Sequence, residues 1–132
     1  MSKRTAVGAG ATAALVAIAL GTLAAQAPAF KRTVLQTMEL SMAGREAVTA
    51  KAELPGGVSS GRHTHPGEEI GYLLEGSVAI ELDGQTKTLK AGDVFAIPAG
   101  KVHAATNTGT APATIVSTYI VEKGKPLATP AK

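Results

Sequence analysis

Gly57-Val58-Ser59-Ser60-Gly61-Arg62-His63-Thr64-His65-Pro66-Gly67-Glu68-Glu69-Ile70-Gly71-Tyr72-Leu73-Leu74-Glu75-Gly76 holds two of the chain's three histidines and the turn signals around them. Alternate side chains of an extended strand share a face, so His63 and His65 can both point inward while Thr64 points away. Pro66-Gly67 forms a turn, after which Glu69 can come back to the same centre from the next strand. Glu68 competes for that role, but a neighbour in a strand faces the other way. His103, the third histidine, opens a run that follows a second turn, Pro98-Ala99-Gly100. Three imidazoles and one carboxylate would form a mixed nitrogen and oxygen site suited to divalent Fe, Mn, Ni, Cu or Zn. In an octahedral shell two positions would stay open to water, O2 or a substrate.

Outward from this stretch the chain reads as short strands separated by turn formers. Candidate strands are residues 34–40, 47–54, 70–74, 78–82, 85–89, 93–97, 102–107 and 113–121. Pro55-Gly56-Gly57, Glu75-Gly76, Asp83-Gly84 and Ala91-Gly92 punctuate them, and Asp83-Gly84 is a two-residue hairpin signal. No segment keeps a helical period for long. Strands at this spacing make an all-β antiparallel sandwich or barrel. Ile115 to Val121 lacks clean alternation, which predicts burial on both faces. Tyr72, Phe95 and Tyr119 read as core or interface. Residues 123–132, with Gly124, Pro126 and Pro130, read as an extended or disordered tail.

Composition narrows the chemistry. A chain of 132 residues has room for one domain. With no Cys there is no disulfide, thiolate zinc site, iron–sulfur cluster or Cys nucleophile. A net charge of +3, two Tyr, two Phe and no Trp argue against nucleic acid as a partner.

Residues 1–29 read as a helical export signal: Lys3 and Arg4 precede an uncharged, Ala-rich run that ends in Ala27-Pro28-Ala29. Cleavage after Ala29 would deliver a mature chain to the periplasm or another exported location. The second reading of the segment is an uncleaved anchor, the only membrane contact the sequence suggests. Once Lys3 and Arg4 are set aside, eleven basic residues face ten acidic ones, so the basic balance says little about partners.

The two histidine-bearing stretches together closely resemble the cupin superfamily. The first cupin motif is matched by Gly57, His63, His65, Glu69 and Gly76, and the second by Gly92, Pro98, Gly100, His103 and Asn107. Between them Ser77 to Ala91 has the minimal length that resembles small microbial cupins. The resemblance implies a single double-stranded β-helix, or jelly-roll barrel, over residues 30–122. It implies that His63, His65, Glu69 and His103 bind one divalent transition metal, with the glycines and Pro98 structural. Asn107 shares the parity of His103, which leaves an inward-facing role and a turn-capping role both open.

A metal-dependent enzyme of dioxygenase, isomerase or lyase type is the first functional expectation, with Glu69 as the group there able to act as a base. The second is a non-catalytic module that binds a small-molecule ligand or metal. Arg62 and Lys101 are candidates to flank the mouth of the site and attract an anion. A homodimer is expected by analogy with the resembled family.

Overall fold

The computed structural model describes residues 26–132, so most of the expected export segment lies outside the described residues. Ten strands follow one another: β1 (Lys31–Glu39), β2 (Arg45–Leu54), β3 (His63–Thr64), β4 (Gly67–Glu75), β5 (Ser77–Leu82), β6 (Gln85–Lys90), β7 (Val94–Ile97), β8 (His103–Asn107), β9 (Ala113–Glu122) and β10 (Thr129–Pro130). They form two five-stranded sheets, ordered β1-β2-β9-β4-β7 and β10-β3-β8-β5-β6. Every pairing is antiparallel. The fold is the all-β double-stranded β-helix that the motif spacing implied. Among the described residues no helix is long and apolar enough to cross a membrane.

The eight expected strands are all present. β3 and β10 are additional, each only two residues long and too short to leave a periodic signal. β4 starts at Gly67 rather than Ile70, because the polar stretch Gly67-Glu68-Glu69 pairs with β9 from Gly67↔Val121 onward. A Cβ at Gly67 would run into the Ile120 carbonyl, so the closeness of these two strands depends on its missing side chain. At the hairpin, Asp83 and Gly84 both adopt positive φ, 50° and 74°, and join Leu82 to Gln85. That is the backbone twist a two-residue turn needs to match its strands.

Parity sorts the side chains. On β4 the inner row is Gly67, Glu69, Gly71 and Leu73, and the outer row is Glu68, Ile70, Tyr72 and Leu74. Tyr72 is therefore not core: inward Glu69 forces it outward, where it is 45% exposed. On β9 the row Ala113, Ile115, Ser117, Tyr119 and Val121 is buried and the opposite row is half-buried. The irregular pattern of Ile115 to Val121 reflects the central place of β9, between β2 and β4.

Two apolar clusters fill the space between the sheets. One holds Leu54, Leu73, Val78, Leu89 and Ile115, with Phe95 packed against it. The other holds Val48, Ala50, Tyr119 and Val121, with Leu127 against it. Complete burial of Leu54 and Leu73 contributes about 1.5–3 kcal/mol each. Ser117 stands on β9 between Ile115 of the first cluster and Tyr119 of the second, and the polar site occupies this junction.

Candidate metal centre

β3, the short connection after it that carries His65, β4 and β8 bring the three histidines and Glu69 together from opposite sheets. His63 pairs directly with His103 across β3 and β8, and Glu69 faces them from β4. The turn at Pro98-Ala99-Gly100 is pinned by Gly100 N–H to the His65 carbonyl at 3.1 Å, which ties the approach of His103 to His65. His63, His65, Glu69 and His103 are all buried. One donor atom from each of the three imidazoles lies within 4.8 Å of the others.

Each histidine gives its Nδ1–H to a backbone carbonyl: His63 to Gly61 at 2.8 Å, His65 to Leu127 at 2.6 Å and His103 to Lys101 at 3.0 Å. A carbonyl only accepts, so Nδ1 carries the proton in all three rings and each neutral ring keeps its lone pair on Nε2. Two of these nitrogens face one carboxylate oxygen. Glu69 Oε2 lies 3.1 Å from His65 Nε2 and 3.2 Å from His103 Nε2. Lone pairs opposed at this distance repel unless positive charge stands between them, as a proton or as a metal cation.

The donor set fits a metal ion. His65 Nε2 is buried and makes no hydrogen bond despite its closeness to Glu69, so its lone pair is unused. Two ligands held about 2.1 Å from one ion stand about 3.0 Å apart at a right angle and about 3.4 Å apart at a tetrahedral angle, a range that includes both observed spacings. Three buried imidazoles with converging nitrogens and fixed tautomers can therefore hold a divalent ion.

The electrostatics favour ligand-ready protonation states. Burial foremost, with the charges of His103, His65 and Arg32 and against the hydrogen bond to Gly61, lowers the His63 pKa to about 4. For Glu69 burial acts upward, but contact with His103 and His65, with a proton standing between the facing atoms, outweighs it and holds the carboxyl well below the usual carboxylate range. Tyr119 packs edge-on to the His65 ring with centroids 4.6 Å apart, and burial followed by the Glu69 charge raises its hydroxyl to about 12.

Several features of the site are not readable from the motifs. Arg32, on β1, places Nη2 3.3 Å from His63 Nε2. It faces inward because it pairs with buried Ala52, a register that only the folded sheet sets. The Leu127 carbonyl comes from the tail, which is extended: β10 pairs with β3, and Ala131 N–H bonds to the Arg62 carbonyl. Glu68 is exposed, as strand parity predicts. Asn107 fills both roles left open for it. It is fully buried on the inner row, and it caps the β8–β9 turn through Nδ2 to Leu54 and Ala111 carbonyls and Oδ1 to Gly109 N–H. Lys101 pairs with Asp83 at 3.1 Å on the surface, and Arg62 lies 4.0 Å from Glu81.

Space at the centre is small. A cavity of about 20 Å³, enough for one water or a bare ion, lies among Arg32, His63, Glu69, His103 and Phe95. A pocket of about 220 Å³ opens outward from Arg32, Ser60 and His63, with Arg62, Ala128 and Pro130 on its walls.

A double-stranded β-helix with a buried three-histidine cluster between its sheets defines a class of metal-binding β-barrel. The cupin domain model matches residues 51–119, and the chain belongs to the cupin family. It is 39% identical over 71 residues to a germin-like protein (subfamily 2 member 2) of Arabidopsis thaliana, covering 49% of this chain and 32% of that one. It is 39% identical over 70 residues to an oxalate-binding protein of Thermotoga maritima, covering 52% and 58%. The chain thus spans about a third of the first relative and under two thirds of the second. Among solved structures it resembles a Klebsiella pneumoniae protein with a double-stranded β-helix domain, with TM-score 0.66, 23% identity and coverage of 79% and 85%. It also resembles an oxalate oxidase in complex with glycolate, with TM-score 0.57, 22% identity and coverage of 64% and 45%.

Proposed function

We propose that this chain is an exported metalloprotein with one mononuclear centre, held by Nε2 of His63, His65 and His103 and by the Glu69 carboxylate, which acts on a small molecule. The observation that carries the reading is the set of three Nδ1–H bonds to main-chain carbonyls, which leaves three Nε2 atoms unprotonated, two of them facing one carboxylate oxygen. A bound divalent ion would supply open coordination positions and Lewis acidity. The chain's own residues fix the imidazoles, exclude bulk water and keep Glu69 ionised at neutral pH. The reaction class is dioxygenase, isomerase or lyase, with Glu69 as the base. The printed activities of relatives, oxalate binding and oxalate oxidation, support a small ligand.

One observation favours the second reading, a non-catalytic binding module. Apart from the ligands themselves, the titratable side chains lining the inner cavity are Arg32 and Tyr119, and neither exchanges protons readily near neutrality. Metal analysis of natively expressed protein, alongside His103→Ala, tests the ligand assignment; unchanged metal content in the variant rejects it. O2 uptake and product analysis over a panel of small acids then separate catalysis from binding.

Export rests on residues 1–29 and is tested by N-terminal sequencing of the protein recovered from each cell fraction. The homodimer expectation is supported by Ile70, Tyr72, Leu74 and Val94, which are exposed on the outer face of β4 and β7. Sedimentation of the wild type against Tyr72→Lys tests it.

A further inference from the structure

We propose that Arg32 anchors a small carboxylate ligand beside the metal centre, in a subsite built by the two terminal strands, β1 and β10. The inference deepens the metal-centre reading and rests on it. It concerns residues outside the region 51–119 matched by the family.

Arg32 is a half-buried guanidinium, and among the described residues no carboxylate pairs with it. Its Nε is buried without a hydrogen-bond partner. Aromatic faces hold it in place instead: its Cζ lies 5.1 Å from the Phe30 ring centre and 5.8 Å from that of Tyr119. Aromatic faces position a cation without cancelling its charge or consuming its donors. A buried guanidinium N–H left open is costly, and its natural partner is an anionic oxygen.

The geometry supplies that oxygen's position. Nε–H and one Nη2–H form one edge of the guanidinium, the fork that matches the two oxygens of a carboxylate. In this structure Nη2 uses the His63 Nε2 lone pair as its acceptor. That lone pair serves one partner. When His63 gives it to a metal, Nη2 loses its acceptor, and the whole Nε/Nη2 edge stands open next to the centre. Three neutral imidazoles and one carboxylate around a divalent ion, with Arg32 alongside, leave a buried cationic cluster. An anion bridging Arg32 and the centre removes that excess.

Size and access set the class. Arg32, Ser60 and His63 line both the inner cavity of about 20 Å³ and the outer pocket of about 220 Å³, so a ligand in the outer pocket reaches the centre past Arg32. The outer pocket holds a few heavy atoms, and its other walls include the apolar Ala128 and Pro130 of the tail and the cation Arg62. A planar carboxylate on a short carbon chain fits these walls.

The test titrates glycolate, its neutral counterpart glycolamide, and inorganic phosphate into the zinc-loaded full chain by calorimetry, for wild type, Arg32→Gln and Arg32→Lys. Metal content and circular dichroism are measured on each sample. The expected result is glycolate binding to the wild type, weakened about tenfold or more in Arg32→Gln and partly restored in Arg32→Lys, with metal content and fold unchanged. Glycolamide should bind weakly and equally to all three. Equal glycolate affinity in wild type and Arg32→Gln overturns the proposal, as does glycolamide binding as tight as glycolate; phosphate binding tighter than glycolate overturns the carboxylate class. If the wild type takes up no zinc, the metal-centre reading fails on its own. The subsite is then judged on the metal-free chain, where glycolate binding that Arg32→Gln abolishes upholds it and absence of binding overturns it.

Discussion

The Leu127 carbonyl accepts the Nδ1–H of His65 at 2.6 Å, so the end of the chain orients an imidazole at its centre. The Leu127 side chain also packs on Val48, Ala50, Tyr119 and Val121. Ending the chain after Pro126 should therefore weaken metal affinity about 10- to 100-fold, the usual effect of losing a partner that orients a ligand. Competition titration with a chromophoric chelator measures it. Affinity equal to the full chain would show that the strap does not set the His65 tautomer.

Glu69→Gln keeps the shape of the side chain and removes its charge. We expect a large loss of metal affinity with the three imidazoles still in place. Chelator competition reads the affinity, and histidine ring NMR checks that the imidazoles keep their places.

Acid should destabilise the metal-free protein. The folded-state pKa of His63 lies near 4 against an ordinary 6.5, so the unfolded chain takes up a proton first as pH falls. Stability from this group is complete above about 6.5 and is lost as pH drops toward 4. Glu69, held below its ordinary 4.5, acts in the same direction at still lower pH. Tyr119 acts at the other end: its folded pKa of about 12 exceeds 10.0, so unfolding releases a proton and stability falls as pH rises through 10 to 12. Thermal melts of stripped protein across pH should show a plateau between about 6.5 and 10. A midpoint unchanged from pH 7 to 4.5 would contradict the buried neutral state of His63.

Asn107→Ala removes the donor for the Leu54 and Ala111 carbonyls and the acceptor for Gly109 N–H. With Asn107 fully buried, the cost should be about 3 kcal/mol or more. Metal affinity in the folded fraction should be unchanged. Urea unfolding checks the first, and metal titration below the transition checks the second.

Leu73→Ala empties a fully buried position in the larger apolar cluster and should cost about 2–5 kcal/mol. Leu74→Ala, one residue on and 56% exposed, should cost far less. Equal costs would contradict the strand parity that points Glu69 inward.

Turn chemistry and period two suffice to place eight strands, because glycine at positive φ and alternating burial are local constraints written residue by residue. The His63, His65 and Glu69 pattern is legible for a related reason: strand parity sends Glu69 inward and Glu68 outward, and alternation continues from His63 on β3 to His65 just past its end. His103 needs its turn as well as its strand, and both leave local traces.

Local residue patterns were enough for the all-β class, the strand parity and the residues that face the centre. Everything that depends on register between distant segments arises only when the sheets assemble. Arg32 becomes part of the site because it pairs with Ala52, and Leu127 fixes a tautomer because β10 lies against β3. Neither has a periodic or motif signature. A carbonyl acceptor is the same for every residue type, and a lone arginine on a strand becomes an anion site only when the sheet closes around it.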